Sequence, residues 1–72
     1  MERYDYSKLL GRMKEHGFTQ AALARAIGIS ETSLNLSLNN KRDFDQDEMI
    51  RSCVALGIPI EQISEYFFTH KL

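Results

Sequence analysis

The chain has 72 residues, of which 43% are hydrophobic, and a formal net charge of −1 at pH 7. This length indicates one small domain with a limited core, and the single cysteine, Cys53, excludes an internal disulfide. The nearly balanced charge excludes a strong overall attraction to nucleic acid. We expect no signal peptide and no membrane span, because no segment has the apolar run that either requires.

Hydrophobic periodicity predicts an all-α fold of five short helices without a strand. The predicted helices cover residues 6–16, 20–27, 31–39 and 46–56, and a short fifth helix starts at Pro59. The residues before the three middle helices are suited to cap them: Thr19, Ser30 and Asp45. Asp45 also forms a D-x-x-E capping box with Glu48. We expect a single domain over residues 1–72, with residues 69–72 as a loose tail.

The third and fourth helices have predictable inner faces. Leu34 and Leu38 are four residues apart and are expected to face the core, whereas Leu36 lies about 160° from that line and points outward. The expected apolar stripe of the fourth helix consists of Met49, Ile50, Cys53, Val54 and Leu56.

The segment TQAALARAIGISETSLNLSLNN, residues 19–40, resembles the helix-turn-helix of phage repressor and Cro proteins. Gln20 matches the glutamine that contacts a phosphate in that family, and Gly28 matches the glycine of the turn. Leu23, Ala24, Ile29 and Leu34 match its apolar or small positions. Ser37 departs from the family pattern, which has an apolar residue there, and we expect Leu38 to take over its role.

In this family the second helix of the motif enters the major groove and contacts base edges. Its outward residues in this chain are Glu31, Thr32, Asn35 and Leu36. Asn35 can pair with adenine and Thr32 can touch a thymine methyl, but Glu31 is repelled by phosphates and Leu36 has no polar group. This helix therefore suits base readout poorly.

Contacts to phosphates supply much of the affinity for DNA. The candidates are Gln20, Lys41 and Arg42, and acidic residues follow Arg42 directly in DFDQDE, residues 43–48. Residues 1–42 carry a net charge of +3, and residues 43–72 carry −4. These candidates leave operator binding as the alternative hypothesis. In that case the protein is a Cro-like transcription factor that binds operator DNA alone or jointly with the repressor.

Exposed Leu36 and the acidic segment around Phe44 suit contact with another protein. Because a repressor presents basic residues to DNA, an acidic surface around an apolar centre would complement that face. We expect Asp43 and Asp47 to supply the charge, and Phe44 either fills the loop from inside or contacts the partner.

Three stretches together resemble the small Cro-like proteins of temperate phages of Gram-positive hosts, and within that group the modulator-of-repression antirepressors of lactococcal phages. They are YDYSKLLGRM at residues 4–13, the motif, and GIPIEQISEYFFTHK at residues 57–71. The resemblance implies binding to the N-terminal DNA-binding domain of the phage repressor, relief of lytic-gene repression and a location in the host cytoplasm.

Three consecutive aromatic residues, Tyr66, Phe67 and Phe68, cannot all face one way on a helix. At least one ring is expected to be exposed, and Tyr66 or Phe68 is therefore a candidate contact residue. Self-association through this region is a third possibility.

No pattern indicates an enzyme, a cofactor, a metal or a small-molecule substrate. His16 and His70 lack metal-ligand spacing, and Cys53 lies on an apolar stripe. No nucleophile with a base and no phosphate-binding glycine loop is present in the sequence.

Overall fold

The computed structural model describes residues 3–72, and these form five α-helices and one 3₁₀ turn. The elements are α1 Ser7–Glu15, α2 Gln20–Ile27, α3 Glu31–Leu38, α4 Gln46–Leu56, the turn Ile60–Gln62, and α5 Ile63–Phe67. The predicted all-α, five-helix fold is confirmed, and α2 and α4 have the predicted bounds.

Side-chain caps fix the starts of α2, α3 and α4. Thr19 accepts a hydrogen bond from the amide of Ala22, and Ser30 accepts one from the amide of Ser33. Asp45 and Glu48 form the predicted capping box. These caps satisfy amides that have no partner inside the helix, and each contributes about 1 kcal/mol.

The core lies between α2 and the helices on either side of it. α2 packs on both α3 and α4, and α5 packs on α1 and α4. The largest fully buried apolar side chains come from all five helices: Leu9, Leu23, Ile27, Leu34, Leu56 and Phe67. Gly28, with φ of 77°, makes the turn that joins α2 and α3.

The inner face of α4 is rotated relative to the prediction. Val54 is 79% exposed and Ile50 is 38% exposed, whereas Ser52 is fully buried beside Cys53. The Ser52 hydroxyl donates to the carbonyl of Glu48 at 2.8 Å, so its burial leaves no unpaired polar group. This bond within the helix allows Ser52 to lie on the core side of α4, where the prediction had placed Val54.

A polar network joins the end of α3 to the start of α4. Leu38 is half-buried and packs against the core as expected, but Ser37 is fully buried beside it, so Leu38 adds to Ser37 and does not replace it. The Ser37 hydroxyl accepts a hydrogen bond from Arg42 Nη1 at 2.9 Å. Arg42 also binds both carboxylate oxygens of Glu48, at 2.9 and 2.7 Å. The Glu48 carboxylate accepts the amide of Asp45 as well, at 3.1 Å.

The two ends of the described chain pair with each other. The amide of Asp5 donates to the carbonyl of Thr69 at 2.7 Å, and the amide of Lys71 donates to the carbonyl of Arg3 at 3.2 Å. Tyr4 and His70 form an antiparallel bridge between these bonds. Residues 69–71 are therefore attached to the domain, where the sequence predicted a loose tail.

The Arg42–Glu48 pair makes stability depend on pH. The hydrogen bonds from Arg42 hold the pKa of Glu48 below its ordinary value of 4.5. Because the folded-state pKa is lower than the unfolded one, the pair stabilises the fold above pH 4.5, and this contribution is lost as pH falls through the folded-state pKa. We expect Glu48→Gln to lower the free energy of unfolding at pH 7 by about 1–3 kcal/mol.

Urea denaturation between pH 7 and pH 3 measures this effect. Glu48→Gln should flatten the acid side of the profile, and Asp47→Asn, which changes an exposed carboxylate without an ion pair, should leave it unchanged. An unchanged acid slope in Glu48→Gln would show that other carboxylates control acid stability.

Candidate partner-binding surface

The outer face of α3 has the side chains that the sequence predicted. Glu31, Thr32, Asn35 and Leu36 are all exposed, and Leu36 retains 38% of its accessible surface. α3 contains no lysine or arginine. This face can offer one leucine, one carboxylate and small neutral groups to a partner.

Asn35, the best candidate for reading a base, is already bound at both ends of its amide. Its Nδ2 donates to Gln20 Oε1 at 3.3 Å, and its Oδ1 accepts from Asn39 Nδ2 at 3.4 Å. Both bonds are long and exposed, so each is weak. The Nδ2 group has a second hydrogen and Oδ1 has a second lone pair, so these bonds orient the Asn35 amide and leave one donor and one acceptor for a base edge.

Arg42, a phosphate contact in the alternative hypothesis, is bonded inside the domain. Its guanidinium forms the two bonds to Glu48, whose carboxylate is almost fully buried, and a third to Ser37. If the Arg42 side chain moved from Glu48 to a phosphate, the buried Glu48 carboxylate would lose its cation, which is costly.

Most other cations also have partners inside the domain. Arg3 pairs with Asp43, and Lys8 pairs with Glu65. Arg12 donates to the carbonyls of Leu56 and Gly57 at the end of α4, and Arg51 donates to the carbonyl of Ile27 at the end of α2. Among residues 3–72, the cationic side chains without a hydrogen bond or ion pair are Lys14, Arg25 and Lys41.

The four carboxylates of the acidic segment 43–48 fall into two groups. Two have a structural role in capping α4, and two are exposed at the surface. Asp45 and Glu48 form the capping box. Asp43 pairs with Arg3, but its side chain is still 82% exposed. Asp47 is exposed and has no ion pair with any described residue. Asp43 and Asp47 are thus the two carboxylates of this segment that can meet a partner.

Two of the predicted aromatic contact residues lie in the core. Phe44 is 8% exposed and Tyr66 is 5% exposed, so neither ring forms an outer surface, and Phe44 takes the loop-filling position. α5 is short, and the face that carries Tyr66 and Phe67 turns toward α1 and α4. Phe68 is the exposed ring of the three, at 45%.

A groove of about 240 Å³ lies beside Phe68. Its floor is formed by the buried rings of Tyr6, Phe44 and Phe67, which meet edge to face with centroids 5.5 and 5.1 Å apart. Its walls are Tyr4, Met49 and Phe68, and its rim carries Arg3 and Asp43. We call this feature the aromatic groove.

Asn40 holds the wall residue Tyr4 in place. Its Oδ1 accepts the amides of Arg3 and Tyr4 at 3.2 and 2.9 Å, and its Nδ2 donates to the carbonyl of Tyr4 at 3.0 Å. The backbone of Asn40 has φ of +62°, a conformation that asparagine tolerates better than most residues.

Sequence reasoning missed Arg3, Tyr4, Asn40 and Met49 as parts of this surface. The asparagine pair after α3 was a signal for a left-handed residue, but no local pattern indicates that the N-terminal segment reaches it. The contact joins residues 36 positions apart.

No helix within residues 3–72 combines the length and apolar character needed to cross a membrane. In the same range, no group of three or more His, Cys, Asp or Glu side chains is placed to hold a metal ion. Burial raises the pKa of the Cys53 thiol, which keeps it protonated.

The fold and this surface define a small all-α protein with a helix-turn-helix at α2 and α3. Residues 2–70 match the family described as a protein of unknown function, DUF739, and the chain belongs to that family. It is also similar to the solution structure of the modulator of repression (MOR) of the temperate bacteriophage TP901-1 from Lactococcus lactis. The two are 40% identical with a TM-score of 0.75, and the match covers 90% of this chain and 88% of that one.

The search of curated proteins gives no match. The resemblance to modulator-of-repression proteins, predicted from the three sequence stretches, is confirmed by the structural match.

The Asn40 contacts predict different effects for two substitutions. Asn40→Gly keeps the backbone conformation and removes three hydrogen bonds, so we expect a loss of about 1–3 kcal/mol in unfolding free energy. Asn40→Ala adds the strain of a positive φ, about 1–2 kcal/mol more. Urea denaturation measures both, with Asn39→Ala as the neighbouring control; equal losses for the two Asn40 variants would contradict the backbone argument.

Proposed function

We propose that this protein is a phage antirepressor that binds the N-terminal DNA-binding domain of its repressor and blocks operator binding, which favours the lytic state. The observation that carries the proposal is the 40% identity to a modulator of repression over 90% of the chain. Repression can be modulated by binding DNA or by binding the repressor, so the choice between them rests on the surface chemistry.

The chemistry of α3 favours a protein partner. A DNA-reading helix needs cations or free amides toward the bases and phosphates. α3 has no cation, and Asn35 is its one amide side chain. Its exposed Leu36 gains from burial against a protein, and contributes nothing polar to a base edge.

The acidic segment supports a basic partner face. Asp43 is exposed just before α4 and Asp47 is exposed in its first turn, within residues 43–72, which carry −4. A repressor surface built to hold DNA is basic, so it is attracted to the acidic segment of this protein. Proteins with acidic surfaces are repelled by the same segment. We assign the contact to Glu31, Thr32, Asn35, Leu36, Asp43, Asp47 and Phe68, with Phe44 and Tyr66 supporting it from the core.

Titration calorimetry with the full-length repressor of the same phage genome tests this proposal. We expect a saturable complex with a dissociation constant below about 1 μM, and loss of repressor from its operator fragment as the complex forms. No heat of binding at micromolar concentrations, with operator binding unaffected, would end the antirepressor proposal.

The charge argument predicts slower association for an altered acidic segment. The double variant Asp43→Lys, Asp47→Lys should associate with the repressor about tenfold more slowly at low salt. Glu15→Lys with Glu61→Lys changes the net charge equally at exposed, unpaired positions elsewhere, and should change the rate far less. Stopped-flow measurements at two salt concentrations compare them; equal slowing would mean that total charge, not the acidic segment, controls the encounter.

Operator binding is the second candidate, because α2 and α3 form a helix-turn-helix in which Thr32, Asn35 and Lys41 are exposed and Gln20 is half-buried. Arg42 is a weaker member of this set, since Glu48 balances its charge. Among residues 3–72, Lys14, Arg25 and Lys41 have no hydrogen bond or ion pair to give up, so these three cations are the first available for phosphates.

This count limits the salt dependence of any DNA binding. Three phosphate contacts correspond to a slope of about −2.7 in log affinity against log salt, or about a 40-fold loss between 50 and 200 mM. A gel-shift series with operator fragments should show weak binding with this slope or a shallower one. Tight, sequence-specific binding by the isolated protein with a steeper slope would favour the transcription-factor function.

A further inference from the structure

The aromatic groove has the size of one protein side chain. Its volume of about 240 Å³ exceeds the roughly 150 Å³ of an apolar cavity that binds benzene. It is smaller than the sites of about 300–1,000 Å³ that enclose drug-sized molecules. A single aromatic or branched aliphatic side chain fits this range.

The lining of the groove suits an apolar side chain. The floor consists of ring edges from Tyr6, Phe44 and Phe67, and the Met49 wall adds a flexible thioether that adapts to different shapes. Phe68 stands against Tyr4 edge to face at 5.9 Å and is 45% exposed. An inserted side chain would therefore bury the exposed part of Phe68 as well as its own surface.

The rim of the groove suits a basic neighbour of that side chain. Asp43 is 82% exposed and its present partner, Arg3, is 58% exposed. An exposed ion pair contributes little to stability, so Asp43 can exchange Arg3 for an incoming cation at small cost. Asp47 adds a second carboxylate on the same segment without a cation of its own.

We propose that the aromatic groove receives one apolar side chain from the repressor's DNA-binding domain, with an adjacent lysine or arginine of the repressor paired to Asp43. This inference rests on the proposed function and names the anchor of that contact. The groove makes this the central apolar contact, and the α3 face around Leu36 lies at its periphery. A concave, partly desolvated pocket with an aromatic wall is where binding energy concentrates in protein interfaces.

The groove is already formed in the free protein. The three hydrogen bonds from Asn40 and the pairing with residues 69–71 fix Tyr4, and the edge-to-face rings fix the floor. A pocket that is ordered before binding loses little conformational entropy when the partner arrives.

Calorimetric titration of full-length variants with the full-length repressor of the same phage genome tests the anchor. We expect Phe68→Ala to raise the dissociation constant by about 30-fold, and Phe68→Leu to recover part of that loss. Val54→Ala removes a more exposed apolar side chain on α4, and Leu36→Ala removes the leucine of α3; each should change the constant by less than about 5-fold. Thermal melting of every variant checks that the fold is intact.

The outcomes separate the two proposals. If the wild-type protein binds and Leu36→Ala weakens the complex more than Phe68→Ala, the anchor lies on α3; the inference is then wrong and the antirepressor function stands. If the wild-type protein does not bind, the proposed function fails. If sedimentation shows a wild-type dimer that Phe68→Ala dissociates, a second copy of this chain occupies the groove, which also overturns the inference.

Discussion

The bidentate pair between Arg42 and Glu48 connects the fold of this protein to its surface chemistry. It joins the segment after α3 to the first turn of α4, and it satisfies the hydroxyl of buried Ser37. With this segment fixed, Phe44 reaches the core while Asp43 stays at the surface. The same pair weakens a cation beside the helix-turn-helix, because Glu48 balances the charge of the guanidinium and three of its N–H groups are already bonded.

Local signals predicted most of the helical framework. Each cap is a short-range interaction between a side chain and an amide three residues on, so Thr19, Ser30 and Asp45 were readable from their neighbours. The face of α4 was not, because hydropathy ranks Val54 above Ser52. A serine that bonds the carbonyl four residues before it has no unmet polar group, and the packing of α2 then decides which side is buried.

The candidate site was only partly predictable, because a local sequence pattern does not reveal contacts between distant segments. The outward direction of Leu36 and Asn35 follows from helix geometry, and the exposure of at least one ring among Tyr66, Phe67 and Phe68 follows from periodicity. The aromatic groove depends on contacts between distant segments: Asn40 with Tyr4, and residues 3–5 with 69–71. The sequence alone shows Arg42 as a cation without an evident partner. Its distance of 2.7 Å from Glu48 in the structure shows that its charge is neutralised.

The use of cations inside the domain explains how a helix-turn-helix scaffold can serve a different partner. Arg12 and Arg51 donate to carbonyls at the C-terminal ends of α4 and α2, and Arg42 stabilises the N-terminal end of α4 through Glu48. Each of these bonds adds stability to a domain too small for a large core, and each occupies an N–H donor that a phosphate would otherwise use. The surface that remains has one carboxylate and no cation on α3, further carboxylates before α4 and in its first turn, and apolar groups at the aromatic groove. In the proposed complex, the carboxylates accelerate the encounter with a basic repressor face, and the buried apolar contact controls how long the two proteins stay together.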